Sequence, residues 1–329
     1  MANFQNIRLE KGMYQVPGGI CAALEQADPS ENYKGTSLEG LDAFQRQLKR
    51  FDIKVMGRNS DPVAKFFSTS DSSVLFPEYI SRTVRTGMEE ADILGKLIAT
   101  VTKIDSLDYR ALSLLPDDDG KELKTVGEGA QIPSASIALG ENLVQLHKRG
   151  RILSASYEAI KYQKLDVFTI MLRQIGAHIA RSQAKDAIDT LSSIASDVEA
   201  TSEDSITYAD IVKTWNALHP YSMTTLVASI TAAEKLLAIP EFMDATAGLN
   251  FHATGKLITP LGAELVKSFH APADKILAFD KSCTLEMVQA GDITTEFDKL
   301  IDRQLERAAI TVTAGFSPLS PDSCVALNI

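Results

Sequence analysis

Cysteine is scarce: Cys21, Cys283 and Cys324 are the only three in 329 residues. They lie far apart, are odd in number and form no C-x-x-C pair, which argues against a disulfide framework or a cysteine-based zinc site. They read as small buried hydrophobes of a reducing cytosol. The five histidines, His147, His178, His219, His252 and His270, are isolated too, and none has a second His or a Cys at metal-ligand spacing. Phosphate-loop, dinucleotide-binding, nucleophile-elbow and HExxH signatures are all missing. Catalytic triads are spatial and not sequential, so these absences remove the reason to propose an enzyme without excluding one. No apolar run approaches the ~20 residues that span a bilayer. The first residues, with Asn3, Gln5, Arg8, Glu10 and Lys11, hold no apolar signal-peptide core, so a cytosolic chain is expected. Basic residues are outnumbered, 33 against 43 acidic, giving a net charge of -10. Without a basic stripe, the chain lacks the footprint of a dedicated nucleic-acid binder, although it could enclose nucleic acid without gripping it.

What is present is ordinary for a folded protein: 45% hydrophobic and 23% charged residues. The length allows one large core or two lobes. Residues 1–35 are punctuated by Pro17-Gly18-Gly19, Asp28-Pro29 and Lys34-Gly35 and show no periodicity, so they are expected to form an extended arm. Thr36 and Glu39 make a capping-box pattern before a helix whose stripe is Leu38, Leu41, Phe44 and Leu48. That stripe has no evident partner within the arm. A second helix is predicted after Pro77, with Ile80, Val84 and Met88 on one face, and a strand over Leu97 to Ile104.

Residues 105–142 form the most unusual stretch. A strand at Tyr109 to Leu115 meets a turn at Pro116-Asp117-Asp118-Asp119-Gly120, and the chain returns through Gly127-Glu128-Gly129. This long hairpin has too few apolar residues for its own core, and an isolated two-stranded ribbon is marginal in water. The three aspartates lack the spacing of a calcium loop and read as a solvated turn; the glycine pair opens no helix and reads as permissive backbone. Next comes a strand at Leu143 to Leu153 that carries His147, Lys148, Arg149 and Arg151, suited to an acidic neighbour or to nucleic acid. After it, Asp166 caps a helix of about 27 residues, roughly 40 Å long, with Phe168, Leu172, Ile175 and Ile179 and then Ala184, Ala187, Ile188 and Leu191 on its apolar face. The rest alternates: a helix at Tyr208 to Leu218 with Trp215 in the core, a strand at Thr224 to Ala228 and a helix at Ile230 to Ala238. A strand at Ile276 to Phe279, a helix at Thr295 to Ala308, and strands at Ile310 to Thr313 and Cys324 to Leu327 complete it.

Arm, short helix, long hairpin, basic strand, long helix, α/β lobe and returning strands follow in an order that resembles the Hong Kong 97-type major capsid protein of tailed phages. Local stretches are similar as well: Leu41-Asp42-Ala43-Phe44-Gln45-Arg46-Gln47-Leu48-Lys49-Arg50-Phe51-Asp52, Leu75-Phe76-Pro77-Glu78-Tyr79-Ile80, Ile152-Leu153-Ser154-Ala155-Ser156-Tyr157-Glu158, Ala314-Gly315-Phe316-Ser317-Pro318-Leu319 and Val325-Ala326-Leu327. The resemblance implies an α+β capsid fold: an N-terminal arm at 1–74, an E-loop at 105–142, a peripheral domain with a long spine helix at 75–104, 143–200 and 276–329, and an axial domain at 201–275. It implies a self-assembling icosahedral head shell around double-stranded DNA, in the virion and assembled in the host cytoplasm, with no catalytic residue, metal or cofactor. Implied partners are copies of the chain in hexamers and pentamers, a separate scaffolding protein and a portal, with no membrane. Expected assembly contacts are Leu41, Phe44 and Leu48 on the arm, Asp117, Asp119, Lys121 and Lys124 on the loop, and Arg149 and Arg151 on the basic strand. The family's Lys–Asn crosslink finds no matching asparagine for Lys121 or Lys124. An encapsulin-type compartment is the alternative within the fold, and an α/β enzyme with residues 207–275 as substrate lobe the alternative outside it.

Overall fold

The computed structural model describes residues 4–115, 125–130, 136–139, 143–156, 158, 162–201, 206–243, 258–259 and 261–329. Its longer helices are α1 (Gly19–Ala27), α2 (Ala43–Arg50), α3 (Phe76–Glu90), α4 (Leu165–Ile194), α5 (Tyr208–Ala217) and α6 (Ile230–Leu237). Its strands are β1 (Thr100–Ile104), β2 (Leu112–Leu115), β3 (Ser136–Leu139), β4 (His147–Ser156), β5 (Ser196–Glu199), β6 (Thr225–Ala228), β7 (Glu264–Lys267), β8 (Lys275–Phe279), β9 (Leu285–Ala290), β10 (Thr294–Leu300), β11 (Leu305–Pro318) and β12 (Cys324–Asn328). The chain divides into two units: residues 1–91, 149–179 and 293–312, and residues 92–148, 180–292 and 313–329.

In the first unit, the stretch expected as an extended arm is folded. α1 buries Ile20 and Leu24, α2 buries Phe44 and Leu48, and these join Leu9, Val63 and Phe66 in one apolar cluster. Periodicity misses α1 because only one i, i+4 pair marks its buried face. The start of α2 also differs from expectation. Asp42 caps it, accepting from Gln45 N at 2.7 Å while Asp42 N donates to Gln45 Oε1 at 3.0 Å. Thr36 and Glu39 stabilise turns instead: Thr36 Oγ1 donates to Tyr33 O at 2.7 Å and Gly35 N to Glu39 at 2.8 Å. Gly40 lies between the two pairs at φ +84°, a conformation that a continuous helix cannot contain. Arg46 is fully buried beneath this region. Its Nε donates to Asp28 Oδ2 at 2.6 Å, its Nη1 to Ser30 Oγ at 2.9 Å and Leu41 O at 2.6 Å, and its guanidinium lies 4.4 Å from the centre of the Tyr33 ring. Such complete pairing is the condition for a charge to sit at this depth.

α3 and the Leu165–Ile179 half of α4 touch through glycines. A Cβ on Gly87 would lie 2.2 Å from Arg173 O, and one on Gly176 2.1 Å from Val84 O. Ile80, Val84, Leu172, Ile175 and Ile179 are buried in the same cluster, and Tyr79 Oη lies 2.6 Å from Thr169 Oγ1. The helix expected at 295–308 is a β-hairpin. β10 pairs antiparallel with β11 from Thr294↔Thr311 to Leu300↔Leu305, and Gln304 takes φ +53° at the turn. The deciding pattern is the alternation of Ala308, Ile310 and Val312, which enter the core, while Asp298 and Arg307 pair across the strands outside it. Tertiary burial outweighs the helical spacing of the preceding residues. β4 pairs with β11 and lies against it at Gly150, where a Cβ would meet Ile310 O at 2.3 Å.

The second unit contains a five-stranded sheet of order β5-β12-β8-β6-β7. Its central strands are buried on both faces, which is why they read as continuous apolar runs. Val227, Leu277, Phe279 and Ala326 enter a cluster with Ala184, Ala187, Ile188 and Leu191 of α4. Their neighbours Leu226, Ile276, Ala278, Val325 and Leu327 face the opposite way, into a cluster with Ile211 of α5 and Leu236 of α6. α5 buries Asp210, Ile211 and Thr214, which leaves Trp215 47% exposed on the next face, contrary to the expected core position. β1 runs parallel to β9, and β9 antiparallel to the Ala314–Pro318 end of β11.

Candidate assembly interface

β2 and β3 pair antiparallel from Leu112↔Leu139 to Leu115↔Ser136 as a two-stranded ribbon separate from the two five-stranded sheets. Its roots are held close together: Val144 N donates to Tyr109 O at 2.9 Å. Tyr109 Oη donates to Glu286 Oε1 on β9 at 2.9 Å, and Thr102 Oγ1 of β1 donates to the same oxygen. Burial and the adjoining carboxylate raise the Tyr109 pKa, so its hydroxyl stays protonated and remains a donor. On the returning side, a Cβ at Gly315 of β11 would lie 2.3 Å from Gln145 O. The loop-tip contacts expected at Asp117, Asp119, Lys121 and Lys124 lie outside the described residues.

The basic strand is present as β4. Lys148 and Arg151 are exposed and Arg149 is partly exposed. His147 Nδ1 lies 3.5 Å from Asp186 Oδ2 on α4. Arg149 and Arg151 share one face of the pleat and Lys148 lies on the other, and all three border solvent in an otherwise acidic chain.

The arm contacts are placed differently from expectation. Phe44 and Leu48 are 3% and 8% exposed in the chain's own core, so they are not offered to a neighbour in this conformation; Leu41 is partly exposed and its carbonyl accepts from Arg46. The stripe finds its partners in α1 and the segment after α2, both of which lack visible periodicity. Conversely, Val167, Ile170 and Met171 form an i, i+3, i+4 set on α4 that is 47%, 55% and 48% exposed. The sequence carries a signal for this set, since these residues fall between the buried positions Leu165, Leu172 and Ile175. Phe269, between β7 and β8, is 84% exposed and stacks edgewise on His270.

Among the described residues, no cluster of three or more His, Cys, Asp or Glu is placed to hold a metal ion, and no helix is long and apolar enough to cross a membrane. Residues 140–281, a span that includes β4, α4 and β8, match the family model described as phage capsid protein. The fold is similar to that of the capsid of a native GTA particle, at 14% identity and TM-score 0.56 over 75% of this chain and 90% of that one. The chain has the Hong Kong 97-type capsid fold. A virus-like particle from Pyrococcus furiosus shares this capsid fold at 14% identity and TM-score 0.54 over 76% of this chain and 98% of that one. The capsid of the cyanophage P-SCSP1u shares it at 16% identity and TM-score 0.52 over 72% of this chain and 88% of that one. No curated protein matches the sequence.

Proposed function

We propose that this chain is the major capsid protein of a tailed phage, a structural subunit whose copies close into the icosahedral head around double-stranded DNA. The observation that carries the reading is the ribbon β2–β3. It stands apart from both larger sheets in a chain that carries a capsid fold and matches a phage capsid family. A two-stranded ribbon gains little in water and much on a neighbour's surface. The ribbon is the E-loop of residues 105–142, and the sheet lobe of residues 201–275 is the axial domain. Arg149 and Arg151 meet acidic surface on the next subunit. Such contacts are individually weak and numerous, because ordering of the interface offsets much of the buried area. The net charge of -10 suits a wall that encloses DNA without gripping it. Assembly takes place in the host cytoplasm on a separate scaffolding protein and a portal, and the subunit performs no catalysis.

Expression with and without its genomic neighbours, followed by negative-stain microscopy, tests the reading. Large icosahedral shells support it. Small shells filled with an enzyme would favour an encapsulin-type compartment. A monomer or dimer that persists at high concentration with scaffold present would overturn both.

A further inference from the structure

Glu286 is an unusual residue for its position. It lies on β9 between β1 and β11, is 4% exposed, and among the described residues takes part in no ion pair. A buried carboxylate without a cation is unfavourable unless hydrogen bonds replace its hydration. Both hydroxyls that do so come from one side: Thr102 in the middle of β1, and Tyr109 seven residues further on, where the chain has left the sheet and is about to enter the ribbon. The carbonyl of the same Tyr109 accepts Val144 N from the returning root. A single residue thus joins the outgoing root, the returning root and the sheet.

We propose that Tyr109 is the positioning residue of the ribbon, a latch on Glu286 that sets the direction in which the paired strands β2 and β3 leave the sheet before a neighbour is met. The assembly part of this rests on the shell reading above; the latch itself does not. A ribbon already aimed loses less conformational freedom on docking, so the latch speeds correct association without touching the partner. Tyr109 is only partly buried, so loss of its hydroxyl leaves the apolar clusters intact. Glu286 keeps Thr102 as a donor in that case.

The test uses the full chain, unassembled, with limited trypsin digestion read at cleavages within 105–142. Tyr109→Phe removes a hydrogen bond to a carboxylate, and cleavage is expected to accelerate about tenfold. The urea midpoint of the whole chain stays at the wild-type value. Glu286→Gln, which retains an oxygen acceptor, keeps cleavage slow, whereas Glu286→Leu accelerates it. With scaffold co-expressed, Tyr109→Phe yields fewer closed shells than wild type. Cleavage of Tyr109→Phe at the wild-type rate would overturn the latch, as would a midpoint that falls in step with faster cleavage, since that is general loosening. Faster cleavage with an undiminished yield of shells would overturn the positioning role in assembly. If the wild-type chain forms no shells under any of these conditions, the shell reading fails, while the cleavage comparison still decides whether the latch exists.

Discussion

Replacing Gly176 by alanine puts one methyl group where α3 and α4 are closest. The new Cβ would stand 2.1 Å from Val84 O, 2.7 Å from Met88 N and 3.0 Å from Gly87 C, all backbone atoms. No flexible side-chain end is available to give way. Reaching the 3.4 Å of ordinary contact needs about 1.3 Å of separation between the helices. That movement also opens the packing among Ile80, Val84, Leu172 and Ile175. Overpacking of this kind costs roughly 1–3 kcal/mol, and the obstruction by backbone places it at the upper end. Alanine recovers about 1 kcal/mol of helix propensity over glycine. The net expectation is a loss of about 2 kcal/mol, seen as a lower urea midpoint for the unassembled subunit by far-ultraviolet circular dichroism. Gly95→Ala is the control, because a Cβ there meets nothing within 4 Å. It should be neutral or stabilising by about 0.5 kcal/mol through the unfolded chain. A Gly176→Ala protein as stable as wild type would refute the close crossing.

Arg46→Ala removes the cation from Asp28, which is itself 1% exposed, and should destabilise the subunit by about 3–5 kcal/mol; adding Asp28→Asn should recover part of that, and a double variant no better than the single one would count against a buried ion pair. Asp210 is fully buried, and burial by itself raises its pKa; hydrogen bonds from the amides and hydroxyls of Thr201 and Thr207 outweigh that and hold it at about 2. Because the folded value is depressed, the stabilisation is complete above the unfolded value of about 3.9 and is lost as pH falls toward the folded one, on the order of 2 kcal/mol across that window. Urea midpoints of wild type and Asp210→Asn should therefore converge between about pH 4 and pH 2, and curves that stay parallel would contradict this account. Arg151→Glu reverses an exposed charge on β4 and should leave the subunit's urea midpoint unchanged while lowering the yield of shells, most strongly at low salt; equal yields at low and high salt would remove this residue from the interface.

Elements with a strong local pattern are legible in the amino-acid sequence itself. The long helix α4, the proline-marked start and apolar face of α3, the short buried strands β6, β8 and β12, and the ribbon's outgoing strand follow from spacing over a few neighbouring residues. The order of those elements is enough to point to the α+β capsid fold. The start of α2 departs from expectation through local contacts, Asp42 with Gln45; the larger departures turn on contacts between distant residues. The hairpin β10–β11 wins over a helix because Ile310 and Val312 reach a core shared with α3. Phe44 and Leu48 look like an interface because their partners, Ile20 and Leu24, sit in a stretch without visible periodicity. Gly87 and Gly176 are ordinary residues in sequence until two helices meet at them. Tyr109 and Glu286 are separated by 177 positions, and neither pattern nor composition connects them. The physical reason is the same in each case. Side-chain periodicity states that a face must be covered by something apolar, whereas which surface covers it, the chain's own or a neighbour's, depends on packing across the whole chain. The sequence alone thus determined the elements and the capsid resemblance; the tertiary structure decided that the N-terminal stripe is spent internally and that Tyr109, at the ribbon's outgoing root, is hydrogen-bonded to Glu286 of the sheet.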